Sequence, residues 1–186
     1  CNLRRWHIST ESSCALCQKP ICTTAHVLSA CKVALAQGRF TFRHDKVLAS
    51  IVEVIGSFIS KLPCAIPSSA NKVTFVKEGT KIKSAKPSLS GLLYKATDWS
   101  IKSDLSGNLL FPLSIAATSL RPDIVIFSKR SKTVILIELT CPCEENFEVS
   151  HQHKVEKYSA LIPKVKDNSW NVEFFAIESR CTRLLW

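Results

Sequence analysis

Two consecutive apolar runs, at 123–128 and 133–140, constrain this chain more than any other feature. They flank the polar stretch "SKRSK". Short runs rich in Val, Ile and Leu on either side of a polar turn read as a β-hairpin. The hairpin carries two acids in awkward places: Asp123 opens the first strand and Glu138 sits deep inside the second. An ionised carboxylate among Val, Ile and Leu is costly unless it is paired or binds a metal.

The rest of the chain supplies helices and strands to pack against the hairpin. From Asp45 to Lys61, apolar residues fall at 47, 48, 51, 52, 55, 58 and 59, a helical spacing that ends before Pro63. Residues 98–105 alternate weakly and predict a strand, whereas the apolar stretch 108–120 is broken by Pro112. Residues 144–162 read as a helix stopped by Pro163, with Glu144, Glu145 and Glu148 favouring the dipole at its start. A last strand is expected over 170–178. Residues 62–92, rich in Ser, Pro and Lys, read as a flexible insertion with one short strand at 72–76. The order helix, strand, hairpin, helix, strand predicts a small α/β sandwich over 46–186, preceded by a separate segment over 1–45.

That segment has its own chemistry. Cys14-x2-Cys17-x8-His26-x4-Cys31 offers three thiolates and an imidazole, a set suited to a closed tetrahedral Zn²⁺ site. Such a site stabilises a stretch too small to bury a core. Cys22 lies inside the loop and is left as a spare thiol, since using it would discard His26.

A hairpin with one acid at the start of its first strand and another near the end of its second brings both to one edge of the sheet. Two carboxylates a few ångström apart repel unless a cation sits between them, and hard oxygen ligands suit Mg²⁺. Asp123 capping a strand, with Glu138 paired to a buried Lys or Arg, would satisfy the same residues. The "Arg-Pro-Asp" lead and the strand–turn–strand setting favour a metal-dependent phosphodiester-cleaving site, in which a nearby lysine offsets charge on the phosphate. Thr140 stands where that lysine is expected. The following helix offers Lys154, about 60° from the centre of its apolar face, and Lys157, about 120° away. Lys154 therefore takes the role, Lys157 is the fallback, and His151 and His153 are read as surface residues.

Composition sets the context. The net charge of +10 favours a polyanionic partner, nucleic acid above all. Arg39, Arg43, Lys46 and Arg121 are the candidate nucleic-acid contacts. Nine cysteines, an odd number, with a pair at metal-ligand spacing, suit a reducing compartment better than a disulfide framework. No apolar run approaches the roughly 20 residues that span a bilayer, so no membrane partner is expected. With no methionine and Cys1 at the start, the sequence reads as a piece of a longer polypeptide. It leaves the oligomeric state open.

Taken together, "CALC…H…C", "GRFTFRHDKVL", "RPD", "ELTCPCEEN" and "HKVEKY" resemble the C-terminal endonuclease region of non-LTR retrotransposon polyproteins. The resemblance runs from about Cys14 to Glu178. It implies a restriction-endonuclease-like sandwich, a mixed sheet flanked by helices, preceded by a CCHC zinc knuckle that aids DNA contact. It implies a Pro-Asp-(Asp/Glu)-x-Lys nuclease that nicks DNA in the nucleus to prime reverse transcription, and element RNA as a partner of the parent polyprotein. It further implies that Asp123 and Glu138 ligate the catalytic metal, and that the lysine has moved to the helix in a Lys-Val-x-x-Tyr setting matched by Lys154, Val155 and Tyr158. The alternative reading is a zinc-containing nucleic-acid-binding module without catalysis.

Overall fold

A computed structural model describes residues 13–20, 22–62, 91–105, 107, 109–142 and 147–179. Four strands form one mixed sheet in the order β1 (Trp99–Ser103), β2 (Ile124–Ser128), β3 (Thr133–Thr140) and β4 (Asn171–Glu178). Helices α1 (Lys32–Ala36) and α2 (Arg39–Ser60) precede the sheet, while α3 (Phe147–Ser159) and α4 (Leu161–Asp167) lie between β3 and β4. The fold class is α/β, as the order of apolar patterns predicts.

The hairpin forms where expected, with β2 and β3 antiparallel and Ile124 opposite Ile137. β4 then pairs with β3 in parallel, setting Glu138 beside Ala176 and Thr140 beside Glu178. A parallel neighbour needs a crossover, and α3 with α4 supplies it. Every residue of β2 is buried, as is all of β3 except Thr140. Strands this apolar require cover on both faces.

Alternation along the strands divides the core in two. Ile124, Ile126, Ile135, Ile137 and Leu139 face one side, where Leu48 and the Val47, Ile51, Val52 and Ile55 stripe of α2 pack on them. Val125, Phe127, Val134 and Leu136 face the other, beneath Tyr158, Leu161 and Val165 of α3 and α4. Leu109, Phe111, Ile115 and Ala116 close that second side, so the Pro112-broken stretch serves the core without regular structure. Each fully buried aliphatic side chain contributes about 1.5–3 kcal/mol to this arrangement. Glu138 shares its phase with Val134 and Leu136 and is therefore turned toward α3.

Three boundaries differ from expectation, each for a local reason. Helix α2 begins at Arg39, not Asp45, because Phe40 packs on the cysteine cluster. Gly38, at φ 68°, makes the left-handed turn that admits it. The boundary expected between residues 45 and 46 thus falls inside a helix that joins both parts. Pro163 does not end the helical region but sits in the first turn of α4, where its missing N–H is not required. Of the expected insertion at 62–92, residues 63–90 lie outside the described residues, as do the strand at 72–76 and Glu144 and Glu145. Among the described residues no helix is long and apolar enough to cross a membrane.

Candidate functional site

Glu138 is only 2% exposed, and its carboxylate meets four donors. Oε1 accepts from Lys154 Nζ at 2.5 Å and from Lys157 Nζ at 3.3 Å. Oε2 lies 2.7 Å from the Tyr158 hydroxyl and accepts the Asp123 backbone N–H at 3.3 Å. Residues 154 and 158 are four apart, so α3 presents both on one face. Burial, then the hydrogen bond to Glu138, pushes the Tyr158 hydroxyl well above its ordinary pKa, and it stays a donor. Lys154 thus arrives where the helical phase placed it. Lys157, expected to point to water, instead bends its ammonium back over the Tyr158 ring, 4.7 Å from the centroid.

Asp123 is fixed by the strand that carries Glu138. Its Oδ2 accepts the Leu139 N–H at 2.6 Å, while its own N–H serves Glu138. From the opposite face of the sheet, His44 Nε2 of α2 approaches the same Oδ2 at 3.5 Å. Asp45 Oδ1 lies 3.1 Å from His44 Nδ1. The contact with Asp123, aided by Asp45 and opposed by burial, raises the His44 pKa from 6.5 to about 9. Each acid therefore meets a cation, Glu138 an ammonium from α3 and Asp123 an imidazolium from α2. Sequence reasoning missed His44. Its phase, one turn before the buried Leu48, was the signal that would have turned it toward the sheet.

The four expected ligands of the N-terminal segment converge. The sulfurs of Cys14, Cys17 and Cys31 and a ring nitrogen of His26 lie within 4.8 Å of one another. Cys14 Sγ and Cys31 Sγ are 3.9 Å apart, against the roughly 3.8 Å edge that Zn–S bonds of about 2.3 Å give a tetrahedron. His26 Nε2 faces Cys17 Sγ at 3.1 Å, and its buried Nδ1 has no hydrogen-bond partner among the described residues. The Cys17 and Leu16 amides lower the Cys14 thiol to about 6, so it is a thiolate at neutral pH. At Cys17 the Lys19 amide acts downward, but burial and the neighbouring thiols leave the pKa raised. The donor set and its spacing fit a tetrahedral metal such as zinc. Cys22 is buried beside these residues, outside the four-ligand set.

The basic residues expected at nucleic acid divide. Arg39 and Lys46 are exposed on α2, Arg39 donating to Gln37 Oε1 and Lys46 lying 5.3 Å from the Phe42 centroid. Arg121, also exposed, donates to the Gly107 carbonyl and approaches Asp104 at 4.0 Å. Arg43 is otherwise engaged. Its Nη1 donates to the Leu28 carbonyl at 2.9 Å and its Nη2 to the Cys141 carbonyl at 3.2 Å. It therefore clamps the cysteine segment to the end of β3.

Comparison with known protein families, with curated proteins and with solved structures gives no match for this chain.

Two outcomes follow from these geometries. Stripping metal from the zinc-loaded protein with a strong chelator should unprotect residues 13–38 in hydrogen exchange while β2 and β3 stay protected. Unchanged exchange over 13–38 would refute the metal role. In protein free of divalent ions, the His44–Asp123 contact has a folded pKa of about 9 above the ordinary 6.5. Its stabilisation is complete below about 6.5 and lost as pH rises through about 9. Urea unfolding should therefore show His44→Gln most destabilised relative to wild type near pH 6 and least near pH 10. A deficit that does not narrow with pH contradicts the assignment.

Proposed function

We propose that this chain is a metal-dependent DNA endonuclease domain, of the kind that nicks a DNA target to prime reverse transcription by a non-LTR retrotransposon polyprotein. The observation that carries the reading is the meeting of Asp123 and Glu138 at neighbouring strand ends with Lys154 delivered from the next helix. This is the residue set of a Pro-Asp-(Asp/Glu)-x-Lys site with its lysine displaced from the strand, on what we read as a restriction-endonuclease-like sandwich. The zinc-binding segment, the +10 charge and exposed Arg39, Lys46 and Arg121 support nucleic acid as the partner. The proposal carries with it element RNA, reached through the parent polyprotein, and a nuclear site of action.

The donor chemistry fits a hard cation. Two carboxylates meet at this corner as hard oxygen donors, and His44, Lys154 and Lys157 balance their charge while no metal is bound. A Mg²⁺ held there would supply Lewis acidity toward the scissile phosphate and a lowered pKa for a bound water. The chain's own residues do the rest. Asp123 and Glu138 are held in register by the Leu139 and Asp123 amides. Lys154, released from Glu138, is placed to offset charge developing on the phosphate. His44 balances Asp123 from the α2 side.

One observation favours the second reading, a binding module without catalysis. Glu138 is saturated by two ammonium groups, a hydroxyl and an amide, so a metal must displace at least one of them. A plasmid-nicking assay in Mg²⁺ separates the two. The endonuclease reading expects nicking by wild type, none by Asp123→Ala, and a loss on the order of 10²–10³-fold for Lys154→Ala. Salt-sensitive DNA binding with equal cleavage, or none, across all three proteins would leave the binding module standing.

A further inference from the structure

The stripe of α3 that carries Lys154 and Tyr158 carries a third polar side chain one turn earlier. Residues 151, 154 and 158 are spaced i, i+3 and i+7 and share one helix face. The last two reach Glu138, whereas His151 reaches a different carboxylate, with its Nδ1 2.8 Å from Glu178 Oε1. Glu178 is the last residue of β4, opposite Thr140 and two positions beyond the partner of Glu138. Strand spacing and rise put it about 8 Å from Glu138 along the same sheet end. Its side chain is 13% exposed against 43% for His151. The Ser179 N–H, bonded to the Thr140 carbonyl at 2.8 Å, ties down the strand end that bears it.

This pairing fixes which nitrogen of the imidazole is used. With Nδ1–H donated to an acceptor-only carboxylate, the neutral ring carries its lone pair on Nε2. No described residue takes Nε2. A histidine whose Nδ1 is held by a partly buried acid, standing one turn from the candidate phosphate-binding lysine, is oriented to accept a proton. An ordinary exposed ion pair would leave the acid at the surface, and here the acid is the more buried partner.

We propose that His151, positioned by Glu178, is the general base of the site. This rests on the endonuclease reading. His151 Nε2 takes a proton from the attacking water as the water oxygen forms its bond to phosphorus. The P–O3′ bond breaks, and its electron pair goes to O3′, which takes a proton from solvent. The products are a 5′-phosphate and a 3′-hydroxyl, and His151 returns its proton to solvent.

The test is plasmid nicking in Mg²⁺ by the zinc-loaded chain, with wild type, His151→Ala and Glu178→Gln compared at equal DNA occupancy. His151→Ala should lower kcat by about 10²–10⁴-fold, with DNA affinity unchanged. Added imidazole should restore part of the His151→Ala rate and none of the Asp123→Ala rate. Glu178→Gln, which keeps an acceptor for Nδ1–H, should lose less than His151→Ala. A wild-type kcat in His151→Ala, or a loss that imidazole does not repair, overturns the assignment while the endonuclease reading stands. A wild type that nicks no DNA sinks that reading and this one with it.

Discussion

A carboxylate lies almost wholly out of water at Glu138, and the start of β2 and the docking of α3 follow from how it is satisfied. Glu138 lies in a strand buried at every position but the last and cannot remain ionised there without donors. The Asp123 amide supplies one, which fixes the start of β2; Lys154, Lys157 and Tyr158 supply the others, which fix the rotation of α3 on the sheet. A buried charge stripped of its counter-charge costs about 3–5 kcal/mol, and at Glu138 two ammonium groups share the task of preventing that. An apolar residue at 138 would satisfy the strand pattern more simply. An acid with so many partners in an apolar strand is what makes this corner of the sheet the candidate site.

The same corner is where the separate parts of the chain meet. Helix α2 starts on the cysteine cluster through Phe40 and runs beneath the sheet through Leu48. Between those two contacts it delivers Arg43 to the Leu28 and Cys141 carbonyls and His44 to Asp123. One helix thus couples the cysteine segment to Asp123 and to the end of β3. Order in the cysteine segment and the geometry of Asp123 are linked through a single rigid element.

The hairpin, its polar turn and the existence of a last strand were legible because apolar patterning reports burial directly. The parallel pairing of that strand with β3 is set by the crossover through α3 and α4 and has no local signal. Cys14, Cys17, His26 and Cys31 were legible because thiolate and imidazole spacing encodes a local site. Lys154 was legible from helical phase once α3 was placed. Lys157 was not, since its long side chain bends over Tyr158 against the direction of its Cα. The early start of α2 was hidden because tertiary packing of Phe40, rather than local propensity, extends it. Arg43 looked like a phosphate contact until its carbonyl partners, far away in sequence, were in view. His44 and the His151–Glu178 pair each depend on elements brought together only by the fold, across the sheet in one case and along its edge in the other.

The central claim is that Asp123 and Glu138 together hold a divalent cation, and Mn²⁺ binding to the zinc-loaded chain tests it most directly. Electron paramagnetic resonance titration should find one bound Mn²⁺ in wild type, displaced by excess Mg²⁺ and lost in Asp123→Asn, with the zinc content of both proteins equal. Mn²⁺ binding that is absent from wild type, or that survives unchanged in Asp123→Asn, would contradict the account.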